Sequence, residues 1–169
     1  MHTNNWLEHE KDWINLIYSN LQLLKACNIN NSHHRNAKRA LNRVLRAWTD
    51  YPANHVSENC LKMFNSKKID FTKIDRRHTL ILGRNKSGKS KIVFEHTTPI
   101  NELISKLMKI NTVERVNDAL KNYSGVCWIT REEDNALNEK GFKNDRHGNW
   151  MECYKLCGIK PLLVSKIII

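Results

Sequence analysis

Gly83-Arg84-Asn85-Lys86-Ser87-Gly88-Lys89-Ser90, running on into Lys91-Ile92-Val93-Phe94-Glu95-His96, is the stretch whose reading decides the fold. Residues 83–90 match the phosphate-binding loop pattern G-x-x-x-x-G-K-[ST] letter for letter. On that reading backbone N–H groups wrap phosphates, Lys89 aids them and Ser90 holds magnesium, and the chain is an α/β nucleotide-binding protein. The surroundings point elsewhere. A phosphate-binding loop opens a helix, because the helix N-terminus is part of the anion site. Here the residues after Ser90 are β-prone, and Pro99 follows soon after. That fold also needs strands alternating with helices. Downstream only Val126-Cys127-Trp128-Ile129 and the tail from Leu162 to Ile169 have strand character. The competing reading is a basic turn joining two strands, His78–Leu82 and Lys91–Glu95, as a hairpin. It makes the protein α+β, and it is preferred. The phosphate-binding loop over Gly83–Ser90 is the second alternative.

Outward from this turn, helices dominate. Asn5 to Cys27 carries apolar residues at the helical period, among them Trp13, Ile14, Ile17, Leu21 and Leu24. Ser32 is a good N-cap for a second helix reaching about Asp50, with Ala37, Ala40, Leu41, Val44 and Trp48 as its buried stripe. Pro52 ends this helical hairpin, and Val56 to Phe64 reads as a short helix with Ser57 near its start. Beyond the turn, Thr98-Pro99 opens a helix with Thr98 as cap. Asn111 with Glu114 and Thr130 with Glu133 have capping-box spacing, and Gly141 fits a helix stop. Trp150 to Cys157 is the last helix expected. The fold class is therefore α+β: a helical N-terminal third followed by a small, mainly antiparallel sheet with packed helices. Residues 1–65 read as a basic helical subdomain and 66–169 as an α+β core, the two forming one compact domain.

The chain has 169 residues, 40% of them hydrophobic, enough to bury a core. No apolar run approaches the ~18 residues of a membrane span, and the first residues lack the layout of a signal peptide. Five scattered cysteines read as reduced thiols, not a disulfide frame. Together these point to a cytoplasmic protein with no membrane partner. Abundant Asn, Lys and Ile hint at an AT-rich bacterial or phage genome.

Charge gives the partner class. With 28 Lys and Arg against 17 Asp and Glu, the net charge is +11. Such a field attracts polyanions, and nucleic acid, DNA or RNA, is the expected partner. Arg35, Arg39, Arg43 and Arg46 are spaced to share one helix face. Arg84, Lys86, Lys89 and Lys91 form a second patch on the turn. These eight are the candidate nucleic-acid-binding residues. A non-catalytic regulator or inhibitor would need nothing more. A homodimer stays open, and no organic cofactor is expected.

One string adds a catalytic possibility. Glu95 and His96 end a strand just before Thr98-Pro99, where a histidine can act as a general base on water. Glu95-His96-x-x-Pro99 resembles the first half of the motif in HNH nucleases, the ββα-metal class. The resemblance covers a few residues. It implies a metal-dependent endonuclease in which His96 activates water, with Glu95 beside it and magnesium or manganese as cofactor. Asn111 and Asn117 lack the flanking pattern of the family's orienting asparagine, and His147 lies too far along for its later histidine. Only the base role of His96 carries over.

Overall fold

The computed structural model describes residues 9–29, 31–48, 53–123 and 125–167. Asn5–Glu8, at the start of the first predicted helix, lie outside them, as do Asp50, Pro52 and Ile168-Ile169. Among the described residues there are seven α-helices and four strands. Helix α1 (Glu10–Ala26) and helix α2 (Ser32–Trp48) form the expected hairpin. Strand β1 (His55–Ser57) leads directly into α3 (Glu58–Ser66). Strand β2 (Ile92–His96) is followed by α4 (Ile100–Leu107) and α5 (Val113–Tyr123). Strand β3 (Val126–Thr130), α6 (Arg131–Glu139), α7 (Trp150–Leu156) and β4 (Pro161–Leu163) complete the order.

The sheet runs β2-β3-β1-β4. β2 lies antiparallel to β3, β3 parallel to β1, and β1 antiparallel to β4. The architecture is α+β. Every residue of β3 is buried, because helices cover both faces of the sheet. Phe94, Val56 and Trp128 pack with Cys60 and Phe64 of α3 on one face. Cys127 and Ile129 pack with Leu137 of α6 and with Cys153 and Tyr154 of α7 on the other. A third cluster is wholly helical: Ile17, Leu21, Leu41, Leu45, Leu103, Leu107 and Leu120 join α1 and α2 to α4 and α5. The boundary expected near residue 65 is therefore not a packing boundary. β1 and α3 belong with the sheet, and α4 and α5 belong with the N-terminal hairpin. No described helix is long and apolar enough to cross a membrane.

Several expectations need correction. Residues 78–82 are not a strand, and β2 takes β3 as its partner. Asp75 caps a short 3-10 turn at Arg76–His78 through its side chain, with His78 closing the capping box. Reverse turns follow, with Ile81 N donating to His78 O and Gly83 N to Leu80 O. Leu80 and Ile81 stay exposed, so the apolar letters that suggested a strand bury little. Strand β1 takes the first residues assigned to the third helix, and Ser57 is its N-cap, accepting from Cys60 N at 3.1 Å. The cap of α4 is Pro99, not Thr98, whose side chain is buried. Thr112, not Asn111, caps α5, its Oγ1 accepting from Arg115 N at 3.4 Å. The tail pairs only over Pro161–Leu163 before a 3-10 turn.

Gly125 has a steric reason to be glycine. Thr97 N donates to its carbonyl at 2.8 Å, extending the β2–β3 ladder. A Cβ there would lie 2.6 Å from Thr97 Oγ1, closer than packed atoms tolerate.

Candidate nucleic-acid interface and the Glu95–His96 edge

Helix α2 divides its residues cleanly. Ala37, Leu41, Leu45 and Trp48 face the helical core. Ala40 and Val44 flank that stripe half-buried, and Leu45 takes the central place instead. Trp48 points inward as its register implies. On the opposite side Arg35, Lys38, Arg39, Arg43 and Arg46 are exposed. Among the described residues no acidic side chain pairs with Arg35, Lys38, Arg39 or Arg43. The acids of α1 are engaged elsewhere: Glu10 meets Lys121 of α5 at 3.2 Å and Asp12 meets His9 at 3.4 Å. Arg35, Lys38, Arg39, Asn42 and Arg43 line an open hollow of about 510 Å³. Arg46 Nε donates to Asn42 Oδ1 at 2.8 Å, bracing the C-terminal end of the stripe.

The 83–90 segment is a self-contained turn. An isolated bridge pairs Arg84 with Ser90, and Gly83 and Gly88 take the positive φ values of 78° and 76° that the reversal requires. The Asn85 side chain organises it, its Oδ1 accepting from Ser87 N at 3.1 Å, Ser87 Oγ at 2.8 Å and Lys89 N at 3.0 Å. In a phosphate-binding loop such N–H groups face the ligand. Here those of Ser87 and Lys89 are used within the turn, and a strand follows instead of a helix. The segment is a basic turn, but not the expected hairpin of two strands, because residues 78–82 form no strand. Its side chains still present charge: Arg84, Lys86, Lys89 and Lys91 are all exposed. Met63, Arg84, Lys86, Lys91 and Glu132 border a second open cleft of about 670 Å³. The turn is fastened at its base, with Ser90 Oγ donating to Thr79 O and Arg131 Nε to Ser90 O.

Glu95 and His96 lie at the end of edge strand β2 on opposite faces of the sheet. His96 is on the buried side with Ile92 and Phe94 and is 8% exposed. Burial, and then the positive charges of Arg46, Arg76 and Arg146, hold its pKa down to about 3. The imidazole is therefore neutral at physiological pH, and its basicity is far below that of a base poised near neutrality. Glu95 is held by Arg146, whose Nη2 donates to Glu95 Oε1 at 2.5 Å. Burial raises the Glu95 pKa, with Arg146 opposing.

Arg146 is the residue that the sequence did not reveal. Asp145–Asn149 reads as a polar loop able to reach a site near His96, with a plain surface loop preferred, yet Arg146 is 1% exposed. Its Nη1 donates to the His96 carbonyl and, at 2.7 Å, to the Thr97 carbonyl. Its guanidinium also lies over the Tyr154 ring at 5.3 Å. Glu102, in the first turn of α4, accepts from Arg146 N at 2.7 Å and from Gly148 N at 3.0 Å. The loop thus clamps the end of β2 to the start of α4. A run of turn-forming residues around an arginine carries no burial signal, so nothing in the letters could have placed it.

A second buried carboxylate has a comparable role. Glu133 Oε2 accepts from Ser57 Oγ at 2.6 Å and from Thr130 N at 2.8 Å, and Oε1 accepts from Asn59 Nδ2 at 3.1 Å. The Thr130–Glu133 capping box is present as its spacing implies.

Among the described residues no group of three or more His, Cys, Asp and Glu side chains is arranged to hold a metal ion. Glu95 and His96 face opposite ways and Glu95 is engaged by Arg146, so this pair does not fit a shared magnesium or manganese ion. Nor does a ββα hairpin hold His96, because β2 pairs with a strand that lies beyond two helices. Cys153 and Cys157 lie in and just after α7, with burial raising both thiol pKa values. No family model, curated protein or solved structure matches this chain.

Proposed function

We propose that this protein binds nucleic acid without cleaving it, through the exposed face of α2 with the 84–91 turn as a second contact. The observation that carries the reading is the set Arg35, Lys38, Arg39 and Arg43. They are exposed on one helix face and lack acidic partners among the described residues. Cations held in this way attract phosphates and release the counterions around them, which favours association entropically. A solvated helix face normally mixes both signs of charge. This one is basic along its length in a chain of net charge +11.

The Glu95–His96 edge supports this reading in a structural role. The His96 imidazole is buried and neutral, and the Glu95 carboxylate is bound to the buried Arg146 guanidinium, whose loop fixes β2 against α4. They present no open lone-pair cluster to a phosphodiester.

The test is a native and denaturing gel series. Labelled duplex DNA, single-stranded DNA and RNA are each incubated with the protein at low salt, with EDTA and with magnesium. The expected result is a mobility shift that EDTA leaves in place, with intact nucleic acid on the denaturing gel. No shift with any of the three contradicts the reading. Magnesium-dependent cleavage lost in His96→Ala replaces it with a nuclease.

A further inference from the structure

Resting on that reading, we infer that the ligand is B-form duplex DNA, with α2 lying in the major groove and the 84–91 turn on the phosphate backbone. Two observations favour a duplex groove over a single strand or an RNA helix, and a third sets the turn on its backbone.

The first is that neither basic patch holds an exposed Phe, Tyr or Trp among the described residues. Proteins that hold single strands stack bases on aromatic side chains beside a basic groove. The only Phe, Tyr or Trp within α2 is Trp48, and it is buried in the helical core. The 83–91 turn contains no aromatic residue at all. Both patches therefore rest on Arg and Lys, with His33 and His34 at the start of α2 and no exposed Phe, Tyr or Trp among their residues, which suits phosphates and groove edges.

The second is the shape of the cationic surface. Arg35, Lys38, Arg39, Asn42, Arg43 and Arg46 form one stripe along a regular helix. At 1.5 Å per residue it extends about 16 Å. The B-DNA major groove admits an α-helix, and arginine and asparagine are the side chains that read guanine and adenine edges there. The A-form major groove is deep and narrow, closed to a helix of this kind. At 3.4 Å per base pair the stripe covers about five base pairs.

The third is a second cationic surface held in place on the fold. Ser90 bonds to Thr79, so the 84–91 turn is fastened to the Arg76–His78 turn. This joins Arg76 and Arg77, both exposed, to the cations of the 84–91 turn. A surface of this kind suits the backbone phosphates that border a groove.

The experiment uses the full chain with a fluorescent duplex DNA of about 20 base pairs, long enough for the whole stripe. Its single strand and the duplex RNA of the same sequence serve as comparisons. Anisotropy is followed at fixed salt, and dimethyl sulfate probes guanine N7, which lies in the major groove. The inference expects the DNA duplex to bind at least about tenfold tighter than either comparison. It also expects N7 protection over about five base pairs, lost in Arg39→Ala/Arg43→Ala. Equal or tighter binding of single strand or RNA overturns the inference while leaving nucleic-acid binding in place. Duplex binding with fully reactive N7 positions also overturns it. Failure to bind any of the three overturns the broader reading as well.

Discussion

The α2 face and the Arg146 loop are both built on arginine, and they use it in opposite ways. On α2, Arg35, Arg39 and Arg43 are exposed and lack acidic partners among the described residues. Arg146 is 1% exposed and donates to the Glu95 carboxylate and to two backbone carbonyls at the end of β2. A guanidinium whose charge and donors are matched inside the protein holds the chain in place. One whose charge is left in solvent remains available to a ligand. The same residue type therefore serves architecture in one region and recognition in the other, and burial with partnering decides which.

The comparison breaks first at Arg146. Arg146→Met leaves Glu95 and two carbonyls without their donor, and it should cost about 3–5 kcal/mol of stability in urea unfolding. A loss below about 1 kcal/mol would mean that the clamp is not structural.

His96 gives the next largest effect, and its sign is fixed. Its folded pKa of about 3 lies below the ordinary value, so the neutral form is the one buried. Between about pH 6 and pH 3 the unfolded chain carries the extra proton, and stability falls as pH falls, by up to about 1.4 kcal/mol per unit. His96→Gln should flatten that slope whatever it does to stability at neutral pH. The raised pKa of Glu95 acts in the opposite sense, and it is common to both proteins in the comparison. An unchanged slope in the variant would remove His96 from the buried neutral set.

Glu133→Gln is smaller. It weakens bonds to Ser57, Thr130 and Asn59 at a buried helix start, with an expected loss of about 1–3 kcal/mol. Smallest of all is the effect of Arg39→Ala/Arg43→Ala on folding. Stability should stay within about 0.5 kcal/mol of the parent, since both side chains are exposed and neither has an acidic partner among the described residues. A larger loss would place these arginines with Arg146.

Much of this division was legible in the sequence. The α2 stripe follows from helical period, and a basic helix face is read directly from residue spacing. The Thr130–Glu133 box, the Ser57 cap and the turn over 83–90 are local signals, set by residues a few positions apart. The failures are non-local or context-dependent. His78–Leu82 looks like a strand by composition, but Asp75 and His78 close a capping box that turns the chain. β1 is three residues long and exists because β3 and β4 flank it. Arg146 is buried because Glu95, Glu102 and the end of β2 converge on it from far along the chain. Asp145, Gly148 and Asn149 around it are typical surface-loop residues. The helical cluster likewise joins segments separated in sequence by β1, α3 and β2, which no local pattern encodes.

The central claim is that the exposed cations of α2 and the turn recognise phosphates. The most direct test is the salt dependence of binding to a duplex, measured for the parent, for Arg39→Ala/Arg43→Ala and for Lys86→Ala/Lys89→Ala. Each phosphate contact contributes about −0.9 to the slope of log K against log salt. The account predicts that each double variant flattens the slope by about 2 while folding stays intact. An unchanged slope in both variants, with binding retained, would contradict it and place the nucleic-acid site elsewhere on the molecule.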